Sequence, residues 1–561
     1  MALFIDKQLA VRCLNDGQRF KIIILFCLMC FLFSCENTSK KAKRIFSDRG
    51  TENLFLCISS DVSSLDPRYG SDATSSQVIK MLFEGLMCAD ADGKIAPAIA
   101  DSFEISSDKK TYIFHLRECQ WSNGIDITAY DFEYSWKSVI DIHEKKMSTL
   151  VHNFYILKNV SKYLKAECPL DQVGVHALDA RTLKVELENP IPYFLEALTN
   201  TWFFPVCKVT DQAVPKWSTH VGKPFVCSGP FHLKEHKIDH KILVEKNPLF
   251  WNADRVLLKT TSISVIKDAM TRLCLFERGR IDWIGKPLSG LPLDACAILR
   301  KENKIHLAPS LGVYWYFFNT DRFPFTNKHM RLAFAYSVNR NEITEYMLQS
   351  DEKPAHSILP SVYGLGGEKF LEEDPVAKAR FYLELGLKEL GLKKENLPEL
   401  TLSYNTDEIH QNVAQIIQQQ IFAVLGIKIK LRHVDWRVHY NNLIHGDFCM
   451  GGMMWHSWVR DPIYILQTFR DKDDGINMAR WQNEKYRELL LSSEREIDFD
   501  RRKRILCQAH ELLMEEMPVI PIYFTSIAYA KSDILHNPTV LENSILDFRY
   551  AYFSYDDIGT R

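Results

Sequence analysis

Asp108–Trp136, DKKTYIFHLRECQWSNGIDITAYDFEYSW, compresses three structural events into one short stretch. Asp108-Lys109-Lys110 is a polar turn feeding a strand in which Tyr112, Phe114 and Leu116 alternate with Thr111, His115 and Arg117. A two-residue period of this kind predicts a strand with one buried face. Trp121-Ser122-Asn123-Gly124 predicts a turn, with Asn-Gly supplying the positive φ angles of a tight reversal. Thr128, three residues before Asp131, predicts the N-cap of a helix running through Tyr134 and Trp136.

Outside this stretch, size and composition set the bounds. A chain of 561 residues exceeds what one core usually supports, so two or three lobes are expected. Apolar content of 46% and charged content of 25% are ordinary for a soluble globular protein. A formal net charge of −2 gives no reason to expect nucleic acid or an anionic membrane surface as a partner. Gly and Pro form no long runs, and no repeat or low-complexity segment is present.

The N-terminus carries its own signal. Lys7, Arg12, Arg19 and Lys21 precede an apolar run, Ile22 to Phe33, that ends at Leu32-Phe33-Ser34-Cys35. The run is short of the roughly 20 residues a spanning helix needs, but it suits an export signal. The last four residues resemble a bacterial lipobox, which implies lipidation of Cys35 and a polar tether from Glu36 to about residue 50. Ten further cysteines are scattered from Cys57 to Cys507 without CxxC spacing, which argues against a zinc site. In an oxidising compartment their even number permits disulfides without pairing them.

Downstream, Leu183, Val185 and Leu187 alternate with Lys184, Glu186 and Glu188 before Asn189-Pro190-Ile191-Pro192-Tyr193-Phe194 ends the segment. Tyr314 to Phe318 is bulky at every position, as in a strand buried on both faces. A helix is expected through Met330, Arg331, Phe334, Ala335, Val338 and Arg340. Leu402–Tyr404 reads as a strand, and Val413, Ile417, Ile421 and Val424 as one face of a helix stopping at Gly426. Ile427, Ile429 and Leu431 then alternate with basic residues. This β-α-β order predicts a parallel or mixed sheet.

The wording of these segments resembles the extracytoplasmic solute-binding proteins of the peptide/nickel ABC-transporter class, and most of all an oligopeptide-binding lipoprotein. The resemblance rests on the opening stretch, on Leu82-Phe83-Glu84-Gly85-Leu86 and on Pro97–Phe103. Ser228-Gly229-Pro230-Phe231, Asn319-Thr320 with Pro324-Phe325, and Pro518–Tyr523 extend it. It implies an α/β fold of the periplasmic-binding-protein type, with two main α/β lobes, a hinge, a smaller extra lobe and a ligand cleft between lobes. The expected division is a signal peptide (1–34), a tether (35–50), a discontinuous lobe I (51–81, 200–305 and 520–561), lobe II (82–199) and lobe III (306–519).

No GxSxG, HExxH, P-loop or GxGxxG motif is present, so an enzyme is not expected. His433, His439 and His445 recur at intervals of six, which does not align them on one helical face as metal ligands. Neither a metal nor a cofactor is expected. An extended peptide can be held by backbone pairing blind to its sequence, with wet pockets for side chains. The resemblance implies that Ser71, Asp72 and Ala73 on one lobe and Met454, Trp455 and His456 on another supply that pairing. It also implies that Trp436 lines a side-chain pocket and that His410 meets the ligand's carboxylate end.

One position departs from the pattern. Peptide-binding relatives carry an acid three residues after the tryptophan matching Trp455, where it pairs with the ligand's α-amino group; here that residue is Trp458. Relatives also tend to have arginine where Gly452 stands. A buried ammonium lacking its carboxylate is costly, so either Asp72 or Asp461 substitutes, or the ligand has no free amino group there. The expected function is oligopeptide capture and delivery to the permease subunits of an ABC importer, in the periplasm or cell envelope, with a lipid anchor in the membrane. The alternatives are a cell-wall (murein) peptide or a nickel chelate, for which His410, His456 and Asp461 are the clustered donors.

Overall fold

Thr111–Leu116 is a strand with Tyr112, Phe114 and Leu116 buried and the alternate residues half-buried, as the two-residue period requires. Full burial of one such side chain contributes about 1.5–3 kcal/mol. The following turn differs from the expectation at one position: Gly124 has φ +84°, while Asn123 keeps an ordinary φ and accepts a hydrogen bond from Ile125 N. The helix does start after Thr128, whose N–H and hydroxyl both donate to the Asp131 carboxylate at 2.9 Å. Trp136 is fully buried and its indole donates to Phe203 O at 2.8 Å.

The computed structural model describes residues 50–554 except 71, 142–148, 349–350, 366–369, 372–373 and 474–475. The signal segment, Cys35, nearly all of the tether and Ser71 lie outside the described residues.

In chain order, the first half holds β1 (Asn53–Ile58), α1 (Ala73–Leu82), β2 (Ala100–Ile105), β3 (Thr111–Leu116), α2 (Ala129–Ile140), β4 (Val175–Ala177), β5 (Thr182–Glu186) and α3 (Phe194–Ala197). β6 (Phe231–Lys237), β7 (Lys241–Lys246), β8 (Thr260–Val265) and β9 (Trp283–Gly285) follow. One sheet has the order β1-β8-β7-β6, with β1 parallel to β8; a second, antiparallel sheet has the order β2-β3-β5-β4. The two share one buried cluster, running from Leu54 through Phe114, Trp136 and Phe203 to Leu546 near the C-terminus.

The second half holds β10 (His306–Phe318), α4 (Lys328–Tyr336), β11 (Leu400–Asn405), α5 (Glu408–Leu425), β12 (Ile429–Val434), α6 (Trp436–His445), β13 (Met450–His456), α7 (Phe499–Glu516) and β14 (Val519–Lys531). Its mixed sheet runs β9-β14-β10-β13-β11-β12, with β11 parallel to both β12 and β13 and the remaining neighbours antiparallel. A separate buried cluster surrounds it, and Val313–Phe318 are buried on both faces. Ile520, Ile522 and Tyr523, assigned from sequence to lobe I, are part of this second core.

Two long strands connect the bodies. His306–Pro309 of β10 pair with Tyr529–Ser526 of β14 beside β9, while Val313–Phe317 pair with Phe524–Val519 inside the second core. Between these stretches Ser310, Leu311 and Gly312 stand opposite Thr525 alone. Gly312 is required there, because a Cβ would lie 2.3 Å from Thr525 Oγ1.

Two helix ends are informative. α5 stops at Gly426, which adopts φ +68°, the left-handed conformation that glycine takes without a Cβ penalty. α4 ends at Tyr336, short of the expected Arg340. Ser337 Oγ donates back to Phe334 O, and the Arg340 guanidinium satisfies the carbonyls of Ala335, Val338 and Pro521.

Candidate functional site

Because β11, β12 and β13 are parallel, their carboxyl ends lie along one edge of the sheet, the usual position of a ligand crevice in α/β folds. α5 and α6 begin directly after β11 and β12. Asp407 caps α5 by accepting from Ile409 N at 2.9 Å and His410 N at 3.1 Å; Asp435 caps α6 by accepting from Arg437 N at 2.9 Å. Trp436, the first residue of α6, is 46% exposed and packs near Tyr440.

His410 stacks on Tyr314 with ring centroids 4.9 Å apart, and Tyr314 stacks in turn on Tyr523 at 5.1 Å. His410 Nδ1 is buried with no hydrogen-bond partner, and burial lowers its pKa against the opposing pull of the Asp407 carboxylate 3.8 Å away. Gly452 opens the space these tyrosines occupy. A Cβ there would approach Tyr316 Cε1 to 2.6 Å and Tyr314 Oη to 2.7 Å, which leaves no room for the arginine of the relatives. His439 Nε2 donates to Gly452 O at 2.7 Å, since a carbonyl oxygen can only accept. His445 instead meets Asn441 O, and His433 lies beside Tyr404, so the three histidines do not converge.

Along β13 successive side chains take opposite faces. Met454 is 40% exposed, whereas Trp455 turns back onto Trp315 with centroids 6.0 Å apart. His456 Nε2 is buried without a partner, and burial pushes the imidazole pKa down to about 4. Trp458 meets His456 edge-on at 5.6 Å and Trp202, in the first body, edge-on at 5.7 Å.

The two acids considered as substitutes for the missing anchor are both engaged. Asp461 is buried and forms a bidentate pair with Arg502 of α7, at 2.7 and 3.0 Å. Asp72 caps α1, accepting from Ser75 N at 2.8 Å and from the hydroxyls of Ser75 and Ser63. Burial alone raises its pKa, but these hydrogen bonds prevail and hold it below the usual value. Ala73 follows, exposed, as the first residue of α1.

The C-terminal segment brings these elements together. Gln77 of α1 donates to Ser544 O, Asn543 Nδ2 donates to Trp458 O at 3.1 Å, and Leu311 N donates to Glu542 O at 3.0 Å. The first and second bodies also meet directly. Tyr193 packs against both cores, and Glu196 of α3 accepts from Arg460 N at 2.8 Å. Sequence reasoning missed Tyr193, Glu196, Trp202 and Asn543. Pro190–Phe194 reads as a strand exit, and no local pattern indicates what lies opposite.

Among the described residues all ten cysteines are free thiols, and burial raises the pKa of several, Cys57 and Cys119 to about 11. No group of three or more His, Cys, Asp or Glu side chains is placed to hold a metal ion among the described residues. No described helix is long and apolar enough to cross a membrane.

The family model for bacterial extracellular solute-binding proteins, family 5 middle, matches residues 94–477. The chain is 35% identical over 537 residues to the oligopeptide-binding protein OppA of Bacillus subtilis, covering 95% of this chain and 98% of that one. It is 30% identical to the periplasmic murein peptide-binding protein MppA of Escherichia coli, over 84% of this chain and 87% of that one. The crystal structure of Haemophilus influenzae OppA in complex with RPPGFSPFR matches with a TM-score of 0.77 at 25% identity, over 90% of this chain and 99% of that one. The shared α/β architecture of the periplasmic-binding-protein type and the match across most of its length lead to one conclusion: the chain belongs to the family 5 bacterial extracellular solute-binding proteins.

Proposed function

We propose that the protein captures oligopeptides outside the cytoplasm, between a body formed by lobes I and II and a body formed by lobe III, and delivers them to an ABC importer. The observation that carries this reading is the junction of the two bodies. The carboxyl ends of parallel strands, two helix starts and residues 454–458, at the end of β13 and just past it, gather where Trp458 reaches Trp202. His410, Trp436, Met454, His456 and Trp458 line the lobe III side of the cleft in this reading, and Ala73 with its neighbours lines the other. Trp455 contributes backbone there, its ring being packed on Trp315. The protein acts as a binder and not as an enzyme, in keeping with its family. Native mass spectrometry of the purified protein tests this directly: a retained peptide is expected, and a tightly bound non-peptide solute counts against the reading.

A second reading, a cell-wall peptide with a blocked amino end, is favoured by one observation. Trp458 occupies the anchor position, and the nearby Asp461 is held by Arg502. The nickel reading loses Asp461, one of its three candidate donors, to the same ion pair. Attachment to the membrane through a lipid on Cys35 completes the proposal. Metabolic labelling with a fatty acid is expected in the parent and absent in Cys35→Ala.

A further inference from the structure

α3 belongs to the first body and Arg460 to the loop that follows β13 in the second. Between them runs a hydrogen bond in which Glu196 Oε1 accepts from Arg460 N at 2.8 Å. The Arg460 guanidinium does not neutralise this carboxylate but turns to Glu542, with Nε 3.0 Å from its carboxylate. On the other side Asp461 is already paired with Arg502. Glu196 is therefore half-buried at the junction, with two acids, Asp461 and Glu542, acting on it and one cation, Arg460, committed to the second of them. The phenol of Tyr363 also feels Glu196 from the second body, with Asp461 and Tyr464 beside it.

We propose that Glu196 is a proton-dependent latch, which favours closure of the two bodies on each other when it is protonated. This rests on the clamp reading above. The physical cause is burial: closing moves the carboxylate out of water without giving it a cation of its own. With the bodies in contact as in the structure, burial pushes the pKa up to about 7, against the ordinary value of 4.5, while the Arg460 N–H and charge partly oppose the rise. Asp461 and Glu542 add to it. The closed form thus binds a proton more tightly than the open form. Closure is favoured as pH falls from about 8 toward 5 and loses that contribution as pH rises through 7. Burial also raises the pKa of Glu542, which acts in the same direction, whereas His456 stays neutral over this window.

The test compares the protein with Glu196→Gln, which keeps the Oε1 acceptor and cannot ionise, and with Glu196→Ala, which removes the acceptor. Small-angle scattering of ligand-free protein and calorimetry with a random tetrapeptide library are run at pH 6 and pH 8. For the parent, the radius of gyration is expected to fall and affinity to rise by about tenfold on going to pH 6. Glu196→Gln should be compact and tight-binding at both pH values, and Glu196→Ala, which lacks the acceptor, more open than Glu196→Gln at both. Equal pH responses in parent and Glu196→Gln, or no opening in Glu196→Ala, overturn the latch. Weaker binding by Glu196→Gln at both pH values also overturns it, by making Glu196 a ligand anchor. If no tetrapeptide binds at either pH, the peptide reading fails, while the ligand-free radius still reports on the latch.

Discussion

The indole of Trp458 meets that of Trp202 edge-on, with centroids 5.7 Å apart and planes at 89°, so an aromatic residue in lobe III touches the first body where sequence alone suggests an anchor for a ligand. An edge-to-face pair contributes about 0.5–1.5 kcal/mol beyond its buried area. Trp458→Leu and Trp202→Leu are each expected to weaken ligand binding by roughly two- to tenfold. The double variant should lose little more than either single one, as a double-mutant cycle by calorimetry measures. Fully additive losses would place the two rings in separate roles.

Acetylating the amino end of a bound peptide should cost this protein little. Where a buried carboxylate receives the ammonium, acetylation removes a charge-assisted bond of about 1.5–3 kcal/mol. Here Asp461 is held by Arg502 and Asp72 by Ser63 and Ser75. Calorimetry on matched free and acetylated peptides is expected to give affinities within about threefold, a gap of less than 1 kcal/mol. Trp458→Asp should introduce a preference for the free amine. A tenfold loss on acetylation in the parent, abolished by Asp72→Asn, would sink this account.

Gly452→Ala should destabilise the second body. The added methyl meets Tyr316 at 2.6 Å and Tyr314 at 2.7 Å, both fully buried, with Tyr314 edge-on to Tyr316 and stacked on Tyr523. Overpacking of this kind costs about 1–3 kcal/mol. The denaturant midpoint is the readout, and removal of the Tyr316 ring by Tyr316→Leu should reduce the additional penalty of Gly452→Ala.

Asp461→Asn leaves the buried Arg502 guanidinium without its carboxylate, at an expected cost of about 3–5 kcal/mol. Chemical denaturation should show the loss. Affinity measured on the folded fraction should change much less, which separates a structural ion pair from a ligand anchor.

The local events were legible where one segment determines its own shape. Tyr112, Phe114 and Leu116 announce a strand by their period, Tyr314 to Phe318 announce burial on both faces, and Gly426 announces the end of α5. The end of α4 at Tyr336 is not legible in the sequence, because Arg340 looks like a continuing helical residue. Its actual role is to bond carbonyls that include Pro521 O on a distant strand. The candidate site is legible only as positions in elements, along β13 and at the starts of α5 and α6. What each acid does was not legible: Asp461 reads as a free acid until Arg502, on another helix, is seen to grip it. Tyr193 and Glu196 carry no local signature, since their roles depend on what the other body presents.

The paired strands β10 and β14 hold hydrogen-bonded register on both sides of Thr525, and the pairing shifts at two places, at Ser310–Gly312 opposite Thr525 and at Ile522 between the Tyr314 and Trp315 pairs. A joint of this form bends easily but resists sliding, since a slip by one residue would exchange buried and opposite faces along both strands. In the clamp proposed above, each closure therefore returns the bodies to the same alignment without a rigid connection: the two strands act as a pair of rails, flexed where their register shifts and locked in length.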